Sequence, residues 1–240
     1  MTSTPAISVV PAVGVRIGRV GRAPDPWAWI DHQYAGGQRW DDHGQVFRTI
    51  YAADSAYSCY VEILAFLRPD RPTWQDLLAD ISEDPEDADE FPVPPAGVVD
   101  PDWIRAKMRS SALLIGAFAD VRAASTIAVL RPLFLDTARR LGLADFDAAA
   151  VKSAHPRELT HKLASHLYAL VDENGNPLVD GVRFASRHGD ELGMWAIFER
   201  PGDEPSSQRV TDQESHLVDL DDPDLRDAMQ LHGLTWPTDF

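Results

Sequence analysis

The feature that most constrains the fold is an apolar helical segment, Ser55 to Leu67, that contains a single acidic residue. The helix is predicted to begin at Asp54 or Ser55. Apolar or aromatic side chains occupy nearly every face of it, so it is expected to be buried on all sides. Its only carboxylate is Glu62. An ionised carboxylate in apolar surroundings is costly unless it is paired or hydrogen-bonded, so the partner of Glu62 has to be explained.

Two explanations for Glu62 are consistent with the sequence. In the first, Glu62 forms an ion pair with Arg39 or Arg48, or lies where the helix end opens to solvent. In the second, it is a carboxylate in a binding cleft, opposite Arg39. Arg39 follows two glycines and precedes a tryptophan. A planar guanidinium at such a position suits a phosphate, which it can hold through two parallel hydrogen bonds.

Length and composition favour one soluble domain. A chain of 240 residues can bury a sizeable core, and no clear linker divides it. The net charge of −16 argues against nucleic acid and against an anionic membrane surface as partners. The sequence shows no signal peptide and no apolar run long enough to span a bilayer, and its single cysteine, Cys59, cannot form an internal disulfide. These features predict a cytoplasmic protein.

Strand and helix patterns are interspersed along the chain, which predicts a mixed α+β fold with helices flanking a sheet. Residues 1–12 are predicted to be a mobile lead-in. Strands are predicted near residues 13–20, 46–51, 112–121, 179–186 and 193–198. Besides the segment that begins near Ser55, helices are predicted over residues 74–81, from Ser125 or Thr126 to Leu141, and after Pro156.

Two polar features do not have the spacing of metal sites. Residues 82–90 are an acidic run that leads into a proline-rich stretch and lacks the glycine and the spacing of a calcium loop, so this part is predicted to be an exposed loop. His161 and His166 lie five residues apart with no cysteine pair or zinc motif nearby, and they are predicted to be surface histidines. No metal is predicted.

Four pieces of the sequence, taken in order, resemble the RES domain, the toxin component of RES–Xre type II toxin–antitoxin modules. They are residues 37–41, 51–53, the helix end near Glu62, and residues 180–189 together with 197–198. The arginine, glutamate and serine from which the family takes its name correspond to Arg39, Glu62 and Ser186. The resemblance spans roughly residues 15–236. The resemblance implies that residues 13–240 form one RES domain, in which the acidic segment near 71–100 is an insertion.

The resemblance implies a sheet core similar to that of ADP-ribosyltransferases, NAD as the substrate with no metal, and cleavage of the nicotinamide–ribose bond as a glycohydrolase or phosphorylase. It also implies an Xre-type antitoxin as partner, and a second copy of the chain is a further candidate partner. Glu62 would stabilise the positive charge on the ribose, and Arg39 would clamp the pyrophosphate. Tyr51 would stack on nicotinamide or the ribose, Ser186 would hydrogen-bond the dinucleotide, and Arg19 would extend the phosphate rim.

Each of these roles has a plain structural alternative. Arg39 could simply pair with Glu62, Tyr51 could be a core aromatic, Ser186 could be a strand-end hydroxyl bonded to backbone, and Arg19 could be a surface charge. Two other functions stay open as well. One is a mono-ADP-ribosyltransferase that modifies a protein target, and the other is a non-catalytic interaction module with the same fold.

Overall fold

The structure, a computed structural model, describes residues 6–69, 96–153 and 155–238, and it has the mixed α+β fold that the sequence predicts. Within these residues the strands are β1 (Val9–Arg22), β2 (Thr49–Ala53), β3 (Lys107–Asp120), β4 (Gly181–Ser186), β5 (Gly189–Phe198) and β6 (Val210–Leu217). The α-helices are α1 (Ala56–Leu64), α2 (Pro101–Arg105), α3 (Ala124–Arg140), α4 (Ala148–Lys152), α5 (Arg157–Tyr168) and α6 (Pro223–His232).

Five of the strands pair in a closed ring. β1 and β3 are antiparallel over nearly their whole length, from the pair Val9 and Ala119 to the pair Arg22 and Lys107. β2 lies between β1 and β5, β5 pairs with β4, and β4 runs parallel to the end of β3. β6 pairs with the first half of β3. The last residues of β3 therefore pair with the first half of β4, whose other end leads through the turn into β5.

Alternation along the strands gives the sheet two apolar faces and the protein two cores. Ile17, Phe118 and Trp195 belong to one cluster, which also takes in Trp27 from the loop after β1. The neighbouring strand residues Ala119 and Ala196 face the other way, into the larger cluster. Helices α1, α3, α5 and α6 pack their apolar sides onto that second face, and the candidate site forms there.

Several predicted boundaries need correction. β1 begins at Val9, so residues 9–12 of the predicted lead-in belong to a strand. β2 starts at Thr49 rather than near 46, and β3 starts at Lys107 rather than at 112. The sequence patterns missed β6, whose side chains are exposed over most of its length. The predicted helix over 74–81 lies outside the described residues, as does most of the 71–100 segment.

Helix α1 starts where the sequence predicts. The prediction that the whole segment is buried on all sides is wrong near its C-terminal end. Ser55 is the N-cap, and its Oγ accepts a hydrogen bond from Ser58 N at 3.1 Å. Glu62 is only half-buried, and Phe66, in the 3₁₀ turn that follows, is exposed. The apolar composition of the segment does not bury it all round because its last turns lie at the surface. None of the described helices combines the length and the apolar character needed to cross a membrane.

Candidate functional site

Arg39 lies in the loop before β2, and hydrogen bonds hold this loop on both sides of it. Asp41 Oδ2 accepts a hydrogen bond from Gln38 N at 2.7 Å. The Tyr51 hydroxyl donates to Asp41 Oδ1 at 2.8 Å and accepts from Trp40 N at 2.8 Å. The backbone before and after Arg39 is thus fixed to strand β2, which limits where its side chain can point.

Helix α5 supports the same loop from the other side. The His161 ring Nε2 lies 2.7 Å from Gln38 O, and Ser165 Oγ donates to Asp42 Oδ1 at 2.5 Å. His161 is buried, so its prediction as a surface histidine is wrong. In the sequence, His161 lies off the apolar stripe of α5, and that stripe was the only signal for which residues of the helix are buried. The polar loop that covers His161 comes from a distant part of the chain.

The Arg39 side chain is anchored by carbonyl oxygens and an aromatic ring. Its Nη1 donates to Lys152 O at 2.7 Å, its Nη2 donates to Ala185 O at 3.0 Å, and its Cζ lies 4.5 Å from the centroid of the Phe184 ring. No carboxylate of the described residues lies within ion-pair distance of it. Burial lowers the pKa of Arg39, and the negative charge of Glu62 opposes that shift. The guanidinium stays charged, so the site holds an uncompensated positive charge.

Glu62 is also without a direct partner. The half-buried carboxylate makes no hydrogen bond or ion pair with any residue that the structure describes. Arg48, one of its two expected partners, instead binds Glu199 at 2.6 Å and contacts Glu204. Glu62 is nevertheless close enough to Arg39 and to His188 to favour the charged form of both. Its half-buried position fits either a cleft carboxylate or a helix end that opens to solvent, and not an ion pair.

Three more arginines make the cleft electropositive. Arg157 and Arg187 lie near enough to Arg39 to lower its pKa further. Burial, followed by the charges of Arg68 and Arg187, lowers the pKa of His188 to about 4, so this imidazole is neutral at neutral pH. A chain of net charge −16 therefore concentrates four arginines around one carboxylate.

His232 closes this end of the cleft, and its tautomer follows from its contacts. Arg68 Nε donates to His232 Nδ1 at 2.8 Å, so the ring proton is on Nε2, which lies 2.8 Å from Val61 O. The rings of His188 and His232 are 5.8 Å apart. Sequence reasoning did not identify this pair, although the Arg187–His188 step directly after the predicted Ser186 was a usable signal.

The other predicted site residues lie beside the cleft and shape it. Ser186 is fully buried, and its Oγ accepts a hydrogen bond from His188 N at 2.9 Å, which fixes the turn between β4 and β5. The Tyr51 hydroxyl is occupied by its contacts in the Arg39 loop, and burial with the nearby Asp41 raises its pKa well above the usual value. Arg19 Nε donates to Pro26 O at 2.5 Å and its Nη1 donates to the Tyr51 carbonyl, so it ties β1 to β2.

A cavity of about 400 Å³ adjoins the cleft at the end of β4. Its walls are mainly apolar, and its rim carries two ion pairs, Asp120 with Arg122 at 2.8 Å and Lys152 with Asp190 at 2.5 Å. The full set of lining residues is Asp120, Val121, Arg122, Ala123, Ala148, Val151, Lys152, Phe184, Ala185 and Asp190. Two of them supply the carbonyl groups that hold Arg39.

No family model, curated protein or solved structure matches this chain. In the described parts of the chain, no group of three or more His, Cys, Asp or Glu side chains is arranged to hold a metal ion. The geometry therefore carries the functional argument. An anion would find an uncompensated guanidinium in this cleft, and a cationic group would find the free carboxylate of Glu62.

Proposed function

We propose that this protein cleaves the nicotinamide–ribose bond of NAD and that it acts as the toxin of a toxin–antitoxin module. One observation carries the proposal: Arg39 and Glu62 lie near enough to influence each other electrostatically, yet neither forms an ion pair with the other or with another described residue. Unpaired opposite charges in a partly buried site are costly, and a ligand that carries both signs would satisfy them. NAD is such a ligand, with an anionic pyrophosphate and a cationic nicotinamide.

The reaction requires few catalytic groups from the protein. The bond between nicotinamide N1 and ribose C1′ breaks, its electron pair goes to the ring nitrogen, and neutral nicotinamide leaves without needing a proton. Positive charge develops on the ribose, and the Glu62 carboxylate would stabilise it. An oxygen of phosphate, or of a water molecule that releases a proton to the solvent, then bonds to C1′. Glu62 can also hold a ribose hydroxyl or orient that acceptor.

The cationic cleft supports the placement of the pyrophosphate. Arg39 still has N–H groups free of the two carbonyls that anchor it, and a guanidinium fork matches phosphate oxygens. Arg68, Arg157 and Arg187 would add attraction at longer range. In this proposal Tyr51, Ser186 and Arg19 are positioning residues, because their polar groups contact protein in the structure.

A toxin of this kind needs an inhibitor, which we propose to be an Xre-type antitoxin. The electropositive cleft favours an acidic segment or a carboxyl terminus of the partner placed against Arg39, where it would exclude the pyrophosphate. Assembly with a second copy of the chain stays a prediction.

The test is the loss of NAD and the release of nicotinamide by purified protein freed of any partner, with and without phosphate. Glu62→Gln is expected to lower turnover about 10²- to 10³-fold, because it removes the charge that faces the developing positive charge on the ribose. Arg39→Ala is expected mainly to raise the KM for NAD, because the pyrophosphate carries the same charge in the bound substrate and in the transition state. Glu173→Gln and Arg226→Ala are matched controls at exposed positions and should keep wild-type turnover. Circular dichroism and thermal melting verify that every variant is folded.

Each result separates the candidate functions. Dependence of turnover on phosphate would identify a phosphorylase, and turnover without phosphate a glycohydrolase. Transfer of labelled ADP-ribose to a protein would favour the mono-ADP-ribosyltransferase. A folded Glu62→Gln variant with full turnover would contradict the proposed chemistry. If the wild-type protein leaves NAD intact and transfers nothing, the non-catalytic module is the better account.

A further inference from the structure

The cavity beside the Arg39 cleft has the properties of a small-molecule site. Its volume of about 400 Å³ lies at the lower end of the range of roughly 300–1,000 Å³ that such sites cover. Val121, Val151 and Phe184 supply apolar and aromatic surface, while alanines at 123, 148 and 185 keep the space open. A flat ring with a few polar atoms at its edge suits these walls.

Arg39 adjoins the cavity through the residues that hold its side chain. The guanidinium donates to the carbonyls of Lys152 and Ala185, and both residues line the cavity. The Phe184 ring is shared, since it contacts Arg39 and also forms part of the cavity wall. A phosphate held by Arg39 would therefore lie next to whatever group occupies the cavity.

The charge around the cavity determines which half of a dinucleotide can bind in it. Both carboxylates of the cavity are already paired, Asp120 with Arg122 and Asp190 with Lys152, so its rim is neutral overall. The free carboxylate, Glu62, is absent from the cavity lining. A cationic nicotinamide ring thus has an electrostatic partner only in the cleft, whereas a neutral base can enter the cavity without an unpaired charge.

We propose that the cavity is a nucleobase subsite that binds the neutral adenine of an adenine nucleotide whose phosphates lie at Arg39. This inference rests on the proposed function for its choice of substrate, and it adds the position of the half of NAD that does not react. It assigns Phe184 and the alanine walls to recognition of the adenosine half, and Glu62 to the nicotinamide half. Remote binding of this kind would let adenosine contribute to holding the reacting ribose in place.

The test is binding of AMP and of nicotinamide mononucleotide, measured separately by isothermal titration calorimetry. Ala148→Phe places a bulky ring at the cavity mouth from an exposed position of α4, so the protein should stay folded. Ala149→Phe is the matched control, because Ala149 is the next residue of the same helix, is also exposed, and does not line the cavity. Ala148→Phe should weaken AMP binding about tenfold or more, since the ring displaces the base from its pocket. Ala149→Phe should leave AMP binding unchanged. The binding of nicotinamide mononucleotide should be equal in the wild type and in both variants.

The outcomes keep this inference distinct from the proposed function. If the wild type fails to cleave NAD but Ala148→Phe weakens AMP binding selectively, the nucleobase subsite stands and the proposed activity fails. If the wild type cleaves NAD and Ala148→Phe changes neither AMP binding nor the KM for NAD, the subsite is refuted and the activity stands. The inference would also be overturned if Ala148→Phe selectively lost the binding of nicotinamide mononucleotide, or if the wild type did not bind AMP at millimolar concentration.

Discussion

At the scale of single residues, the same side-chain type meets two different environments in this protein. Arg48 is neutralised by Glu199 and Glu204, and these contacts raise its pKa. Arg39 is held by carbonyl dipoles and an aromatic ring, which orient the guanidinium without cancelling its charge. Only the second arrangement leaves a full charge available to a ligand. For function, the kind of partner that holds an arginine therefore matters more than the number of its hydrogen bonds.

Tyr51 should act through the Arg39 loop. Tyr51→Phe removes the hydroxyl that joins Asp41 to Trp40 N and leaves a carboxylate oxygen and an N–H without this partner. We expect a loss of about 1–3 kcal/mol in the free energy of unfolding, measured by urea denaturation. The KM for NAD should rise as well, because Arg39 is less well placed.

Tyr34→Phe is the matched control for Tyr51→Phe. Tyr34 is 69% exposed, so loss of its hydroxyl should change the free energy of unfolding by less than about 0.5 kcal/mol. If Tyr51→Phe keeps wild-type stability and lowers only kcat, then the hydroxyl does not hold the loop and contacts the substrate instead.

At the scale of elements, the β4–β5 hairpin connects the functional parts. Its first strand supplies Phe184 and Ala185, which contact Arg39 and line the cavity. Its turn carries Ser186 and His188 on the cleft side. The position of the hairpin therefore sets the geometry of both the cleft and the cavity, and anything that separates its two strands should disturb both.

At Gly181, strand β4 leaves no room for a side chain against β5. A Cβ placed on Gly181 would lie 2.0 Å from Ala196 O, a backbone atom that cannot rotate away. Gly181→Ala should lower the free energy of unfolding by about 3 kcal/mol or more through overpacking, measured by urea denaturation.

Gly37→Ala is the comparison for Gly181→Ala. No heavy atom lies within 4 Å of a Cβ at Gly37, which is in the Arg39 loop, and its φ is not in the left-handed region. The variant should be as stable as the wild type, and a large loss of stability there would contradict the described loop geometry.

At the scale of the whole molecule, the charge distribution is strongly uneven. The chain carries −16 overall, yet arginines dominate the cleft. Most of the surface therefore repels polyanions such as nucleic acid, and a small anion still finds a positive site at short range. This contrast is consistent with a nucleotide substrate and not with a nucleic-acid surface.

Stability should fall as the pH is lowered, and histidines should contribute. Burial lowers the pKa of His166 and His232 and brings that of His188 to about 4, from an ordinary value of 6.5. The unfolded chain then takes up protons first, so stabilisation is complete above about pH 6.5 and is lost as the pH falls toward 4. Urea midpoints between about pH 7 and 5 measure this loss, before the carboxylates titrate.

His188→Gln should flatten part of this pH dependence. The groups around His188 are Glu62, which opposes its shift, and Arg68, Arg187 and His232, which add to it. His155→Gln, at an exposed position, should leave the slope unchanged. A slope that is the same in the wild type and in His188→Gln would show that His188 is not held neutral by the fold.

The sequence by itself determined the fold class and most element positions, and it singled out Arg39 and Glu62, on which the proposed site rests. Periodicity and capping are local, so Ser55 marked the start of α1 and Pro156 the start of α5. Arg39 and Glu62 stood out because a lone carboxylate in an apolar helix requires a reason wherever it packs. The resemblance to the RES domain also came from local motifs, and its functional content stays a prediction.

Only the tertiary structure decided what surrounds these residues. The pairing of β1 with β3 joins segments about a hundred residues apart, and the contacts of Arg39 with Lys152 and Ala185 are separated by 113 and 146 positions. Local patterns cannot report such contacts, because burial and hydrogen-bond partners depend on which distant segment covers a side chain. The same reason explains why the burial of Ser186 and the cavity with its neutral rim could not be read from the chain, whereas Arg39 and Glu62 could be singled out from it.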